Sequence, residues 1–140
     1  MRRFIFDTSV YVAYLRSGDL ARVLETATSW GLVHLSVVVA EELLVGAPSK
    51  RAVGFIQEFV DRFHNVGRLE VPLRSDWLRA GEAIRRVGQK HGYELVGRSR
   101  LTNDALIAAT ASRLGATIVT RNSRDFELLR GSLPARVMVV

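Results

Sequence analysis

The chain has 140 residues, 48% of them hydrophobic and 24% charged, which is apolar area enough for one folded domain over 1–140 and too much for a disordered segment. Cysteine is absent, which excludes disulfide frameworks, thiolate nucleophiles and Cys-based metal sites and fits a reducing cytoplasm. A net charge of +6 and a pI of about 10.7 favour polyanionic partners such as nucleic acid or an acidic protein segment, and only Lys50 and Lys90 are lysines, so most of the positive charge sits on guanidinium forks suited to phosphate.

Phe4-Ile5-Phe6 is a short apolar run ended by Asp7, which predicts a buried strand feeding a helix over Val10 to Leu15. The run is too short for a secretory core, and no window approaches the roughly 18 apolar residues of a membrane span, so neither export nor membrane insertion is expected. Leu20, Val23, Leu24 and Ala27 recur at helical spacing, predicting a second helix to about Ser29 that Gly31 closes. Leu32-Val33-His34-Leu35 predicts a strand, and Ser36 is placed to cap a helix from Val37 to about Val45. Val53, Ile56, Phe59, Val60 and Phe63 form the apolar stripe of the next helix. A third strand is expected over Leu69-Glu70-Val71-Pro72. Ser75 is then expected to cap a helix with Trp77, Leu78, Ile84 and Val87 on one face, stopping near His91-Gly92. Thr102-Asn103-Asp104 opens a helix ended by Gly115 as a left-handed cap, and Thr117-Ile118-Val119-Thr120 is the clearest strand. One helical turn at Phe126 to Leu129 and a last strand from Val137 to Val140 complete the order. Near-continuously apolar strands alternating with helices define an α/β fold of three layers, a mainly parallel central sheet with helices on both faces.

Such a sheet binds ligands beyond the carboxyl ends of its strands. Asp7 follows the first strand, Asp104 lies in the first turn of a helix leading into the strand Thr117 to Thr120, and Asn122 and Asp125 follow that strand. Each acid also has a structural reading, as a cap or turn residue. Glu41 and Glu42 lie in an otherwise apolar helix, where successive residues point about 100° apart, so at most one shares the direction of the buried stripe. Periodicity does not separate the two. Carboxylates without Cys or paired His suit hard cations, Mg²⁺ or Mn²⁺. His34, His64 and His91 are scattered and read as non-ligands. No G-x-S-x-G, P-loop or G-x-G-x-x-G motif occurs.

Four segments, Phe6-Asp7-Thr8-Ser9-Val10, Ser36 through Gly46, Thr102 through Ala111, and Thr120 through Phe126, resemble the PIN-domain family in order and spacing across nearly the whole chain. Many short members of that family are toxins of VapBC toxin–antitoxin pairs. The resemblance implies an acidic pocket at the sheet's carboxyl edge and Mg²⁺- or Mn²⁺-dependent cleavage of RNA, and it matches Asp7, Glu42 and Asp104 to the family's most regular acids. The chain departs from the pattern at Asn122, where an acid is common. Asp125 then supplies the fourth carboxylate, with Asn122 as a neutral ligand or water-positioning group. The resemblance further implies a VapB-like antitoxin whose tail covers the pocket and a hydrophobic groove, and a homodimer.

Thr8, Ser9, Thr120 and Asn122 are short polar groups beside the acids, suited to supporting or phosphate contacts. Arg98, Arg100, Arg121 and Arg124 adjoin them and are suited to gripping flanking phosphates. Two other functions compete. One is a PIN-like module that binds RNA or protein without cutting. The other is a haloacid-dehalogenase-type phosphatase, suggested by the strand-Asp start, although that family expects a second Asp where Ser9 stands.

Overall fold

The computed structural model describes residues 1–17, 31–92 and 100–140, together with Arg22, Glu25 and Ser29. The first strand, β1 (Arg3–Phe6), is the centre of a five-stranded sheet in which every pairing is parallel. On one side it pairs with β2 (Leu32–Ser36), which pairs in turn with the short β3 (Leu69–Glu70). On the other side lie β4 (Ala116–Thr120) and β5 (Arg136–Val139), giving the order β3-β2-β1-β4-β5. Phe4, Ile5 and Phe6 are 1%, 0% and 2% exposed. Successive strand residues point to opposite faces, so burial of all three means that both faces of the sheet are covered.

The described helices are α1 (Thr8–Ser17), α2 (Val37–Val45), α3 (Lys50–Asn65), α4 (Arg74–His91), α5 (Thr102–Leu114) and α6 (Arg124–Leu129). The expected helix from Leu20 to Ser29 falls largely outside the described residues. Ser36 caps α2 as expected, accepting the Val38 N–H at 3.2 Å, and Gly115 ends α5 at φ 66°, a conformation that costs glycine nothing. Gly31, the expected stop of that helix, has a requirement of its own. A Cβ there would stand 2.0 Å from the Arg2 carbonyl oxygen, so only glycine lets the chain enter β2 against β1. Tyr11 of α1 packs edge-on to Phe59 of α3 at 5.5 Å and tilted to Phe6 at 5.8 Å. Each buried ring adds roughly 1.5–3 kcal/mol of transfer free energy, and together they clamp α1 and α3 to β1.

Helix α4 corrects two expectations. Ser75 is not its cap: the helix begins at Arg74 with Leu73 as N-cap, and the carboxylate of Asp76 reaches back to the Leu73 N–H at 2.8 Å. Trp77 and Leu78 are exposed at 54% and 68%, while Asp76, Ala80, Ala83, Val87 and Gly88 form the buried face. α4 packs most extensively on α5, whose small residues Ala105, Ala108, Ala109 and Ala111 are all buried.

Among the described residues no helix is long and apolar enough to cross a membrane.

Candidate active site

Chain order β1, β2, β3 moves outward on one side of the sheet, and the return to β4 falls on the other side of β1. The topological switch point therefore lies between β1 and β4 at their carboxyl ends, where open parallel sheets bind ligands. Asp7 sits at that point, with its N–H donating to the Val119 carbonyl at 3.0 Å. The residue is 8% exposed, so its charge must be met by donors. Ser9 Oγ donates to one carboxylate oxygen and Thr120 Oγ1 to the other, and the Val10 N–H stands 3.3 Å from the first. Ser9 also accepts the Arg121 N–H at 3.0 Å, and Thr120 accepts the Asn122 N–H at 3.0 Å. The hydroxyls thus tie the start of α1 to the loop after β4 through Asp7.

Glu42 is half-buried and Glu41 exposed. Glu42 Oε1 accepts the Thr8 hydroxyl at 2.8 Å, which decides geometrically what periodicity left open. Asp104, in the first turn of α5, has its carboxyl pushed up to about 7 from an ordinary 3.8. Burial is the largest cause, followed by the neighbouring charges of Asp125, Asp7 and Glu42 and a hydrogen bond with Asp125. The other three carboxylates selected from the sequence therefore all act electrostatically on Asp104. Only Asp125 has a basic partner among the described residues, Arg100 Nη2 at 2.8 Å. No Lys, Arg or His ion-pairs with Asp7, Glu42 or Asp104 among those residues.

Asn122 is exposed, and its side-chain oxygen accepts the Arg124 N–H at 3.1 Å. It organises the turn into α6 in this structure, while Asp125 faces Asp104. Arg121 and Arg124 are exposed beside the pocket, and Arg98 lies outside the described residues. His34 is buried on β2 and pairs with Glu70 at 2.8 Å, joining β2 to β3, while His64 and His91 are exposed. The sequence alone gave no reason to link Arg100 with Asp125, because the two are 25 residues apart and no local pattern joins them.

The donor set is one of hard oxygens: carboxylates flanked by Thr and Ser hydroxyls, with neither thiolate nor imidazole. That chemistry fits Mg²⁺ or Mn²⁺. The side chains are not closed into a coordination shell, since among the described residues no three acid or His groups stand close enough to hold an ion. Both Asp7 oxygens and one Glu42 oxygen are engaged by hydroxyls instead.

Beside Glu42, a groove of about 580 Å³ runs between α1, α2 and α3, lined among others by Val12, Leu15, Leu43, Phe55 and Ile56. Leu15 and Phe55 are 44% and 48% exposed along it.

The PIN domain family model matches residues 4–131, and the chain belongs to that family. Its fold is shared with VapBC2 from Rickettsia felis bound to a promoter DNA fragment (TM-score 0.68, 23% identity, 99% of this chain and 98% of that one). It is shared equally with DNA-bound VapBC from Salmonella typhimurium (TM-score 0.67, 23% identity, 99% and 98%). VapBC-1 from nontypeable Haemophilus influenzae superimposes with a TM-score of 0.70 at 18% identity, over 98% and 97% of the two chains. No curated protein matches the chain by sequence.

Proposed function

We propose that this chain is a divalent-cation-dependent endoribonuclease and the toxin of a VapBC-type pair. The observation that carries the reading is the group of four carboxylates at the switch point of a PIN fold, three of them without a basic partner among the described residues and one, Asp104, pushed up to about 7 by burial and by its acidic neighbours. Such a group is costly unless a cation joins it. Asp7, Asp104, Glu42 and Asp125 would hold Mg²⁺ or Mn²⁺. When bound, the ion supplies charge neutralisation at the phosphate and a more acidic water.

The chain's own residues then have distinct tasks. Ser9 and Thr120 fix the Asp7 carboxylate by their hydroxyls. Asp104, its carboxyl pushed up to about 7, would hold the ion in its ionised form. Glu42, held by Thr8, and Asp125, held by Arg100, complete the ligand set or orient the attacking water. Arg100, Arg121 and Arg124, with Arg98, contact phosphates beside the scissile one, and Asn122 supports them from the turn.

A VapB-like antitoxin is the proposed protein partner, its tail lying in the apolar groove between α1 and α3 and reaching the pocket past Glu42. This is drawn from the VapBC neighbours and the groove's exposed Leu15 and Phe55. Asymmetric charge substitution at Leu15 and Phe55 should weaken complex formation with the product of an adjacent short reading frame. A homodimer, checked by light scattering, and a cytoplasmic location belong to the same proposal.

The deciding experiment incubates partner-free protein with a mixed RNA pool plus Mg²⁺ or Mn²⁺, beside EDTA and Asp7→Asn controls. Cleavage lost in both controls supports the reading. RNA binding without metal-dependent cleavage would replace it with a non-cutting binding module, for which the hydroxyl-engaged carboxylates are the supporting observation.

A further inference from the structure

We propose that the cleft between the last turns of α4 and the helix α6 is a phosphate-binding subsite that holds the RNA strand beyond the scissile bond, through Arg86, Lys90, His91 and Arg124. This rests on the ribonuclease reading above and extends it to residues outside the acidic pocket. The cleft has a volume of about 420 Å³, and Val87, Leu128, Gly131 and Ser132 complete most of its wall.

Four basic side chains and one acid, Glu127, line it. Glu127 lies 3.6 Å from Arg130, which offsets part of its charge. Arg86 shares Glu82 with Arg85, at 3.3 Å and 2.6 Å respectively. No acid pairs with Lys90, His91 or the Arg124 guanidinium among the described residues. Arg86 and Lys90 are four residues apart on one helix and so project from the same face. Lys90 and Arg124 are thus cations without an acid partner among the described residues, and such charges held together in a concave site favour a polyanion over solvent.

The position selects the anion. Arg124 and Asp125 are consecutive at the start of α6: the first lines the cleft, and the second meets Arg100 and Asp104 in the acidic pocket. A strand whose scissile phosphate lies at the carboxylates can therefore pass over the start of α6 into the cleft without leaving basic surface. Val87 and Leu128 add apolar wall suited to a sugar or base between phosphates. An acidic peptide would meet the same charges but has no reason to continue into a pocket of carboxylates, where it would be repelled.

The test uses full-length Asp7→Asn protein, so that binding is read without cleavage, and a labelled single-stranded RNA oligonucleotide titrated from low to high salt. Each phosphate contact contributes about 0.7 to the slope of log K against log salt for a single strand. Arg86→Gln/Lys90→Gln should lower that slope by about 1 to 1.5 and weaken binding several-fold at low salt. Arg2→Gln/Arg136→Gln, at the opposite edge of the sheet, removes the same charge and should leave the slope nearly unchanged. Equal losses in the two double variants would mean a general charge effect and overturn the subsite. So would an unchanged slope in the first variant, or a loss confined to binding of polyglutamate. Should wild-type protein cleave RNA while the slope stays unchanged, the subsite falls and the ribonuclease stands; should the Asp7→Asn protein bind no RNA at any salt, both fall.

Discussion

Asp76 and Asp7 are both buried carboxylates, and the molecule treats them oppositely. Asp76, fully buried on α4, accepts the Leu73 N–H at 2.8 Å and faces Arg113 of α5, with Nε at 3.1 Å and Nη2 at 3.0 Å. Its charge is cancelled within the chain, and the pair joins two helices. Asp7 has only hydroxyl and backbone donors, and it lies within electrostatic reach of Asp104, whose other neighbours include Glu42 and Asp125. A buried acid paired with an internal arginine is architecture, whereas a group of buried and half-buried acids with too few arginines is a candidate cation site.

The largest effect should come from breaking the architectural pair. Asp76→Ala leaves the Arg113 charge without its partner and removes the α4 cap, so it should destabilise the protein by about 3–5 kcal/mol, read as a shift in denaturation midpoint. A change below about 1 kcal/mol would show that the two regions are not different in kind. At the other region, Asp7→Asn should cost at least about 100-fold in metal-dependent RNA cleavage, about 2.7 kcal/mol of transition-state stabilisation, with the fold retained by circular dichroism. Full activity in that variant would remove Asp7 from the chemistry.

The third prediction sharpens the contrast through pH. Asp104 in the folded protein titrates near 7, above its ordinary 3.8, so between those values the native state holds a proton that the unfolded chain has released. Its contribution to stability is complete below about pH 4 and is lost as pH rises through 7. Thermal unfolding in EDTA should show this decline, Asp104→Asn should remove it, and Mg²⁺ should restore stability at pH 8 by binding the ionised form. A metal-free stability that rises from pH 4 to 7 and ignores the Asp104→Asn change would contradict the assignment. The smallest effect is expected at Ser9, whose hydroxyl joins Asp7 to the Arg121 N–H. Ser9→Ala should lower cleavage about tenfold, chiefly through weaker metal affinity, and raising the Mg²⁺ concentration should recover most of it.

Local rules made much of this molecule legible from its sequence. The apolar runs at Phe4-Ile5-Phe6 and Thr117 to Thr120, the Ser36 cap and the Gly115 stop depend on neighbours a few residues away, and they appear where periodicity and capping place them. Asp7 and Asp125 stand out by their positions after strands, because a parallel sheet sends its strand ends to one edge, Asp104 by its place at the start of a helix leading into such a strand, and Glu42 by its apolar helix and the family resemblance. Tertiary structure alone decided that Glu42 and not Glu41 turns inward, that Arg100 meets Asp125, and that Arg113 neutralises Asp76. It also put Trp77 and Leu78 outside, against their hydrophobicity, and turned Ala80, Ala83 and Val87 inward. Side-chain pairing across tens of residues and the spacing between packed helices are set by the assembled layers, and no local periodicity encodes them.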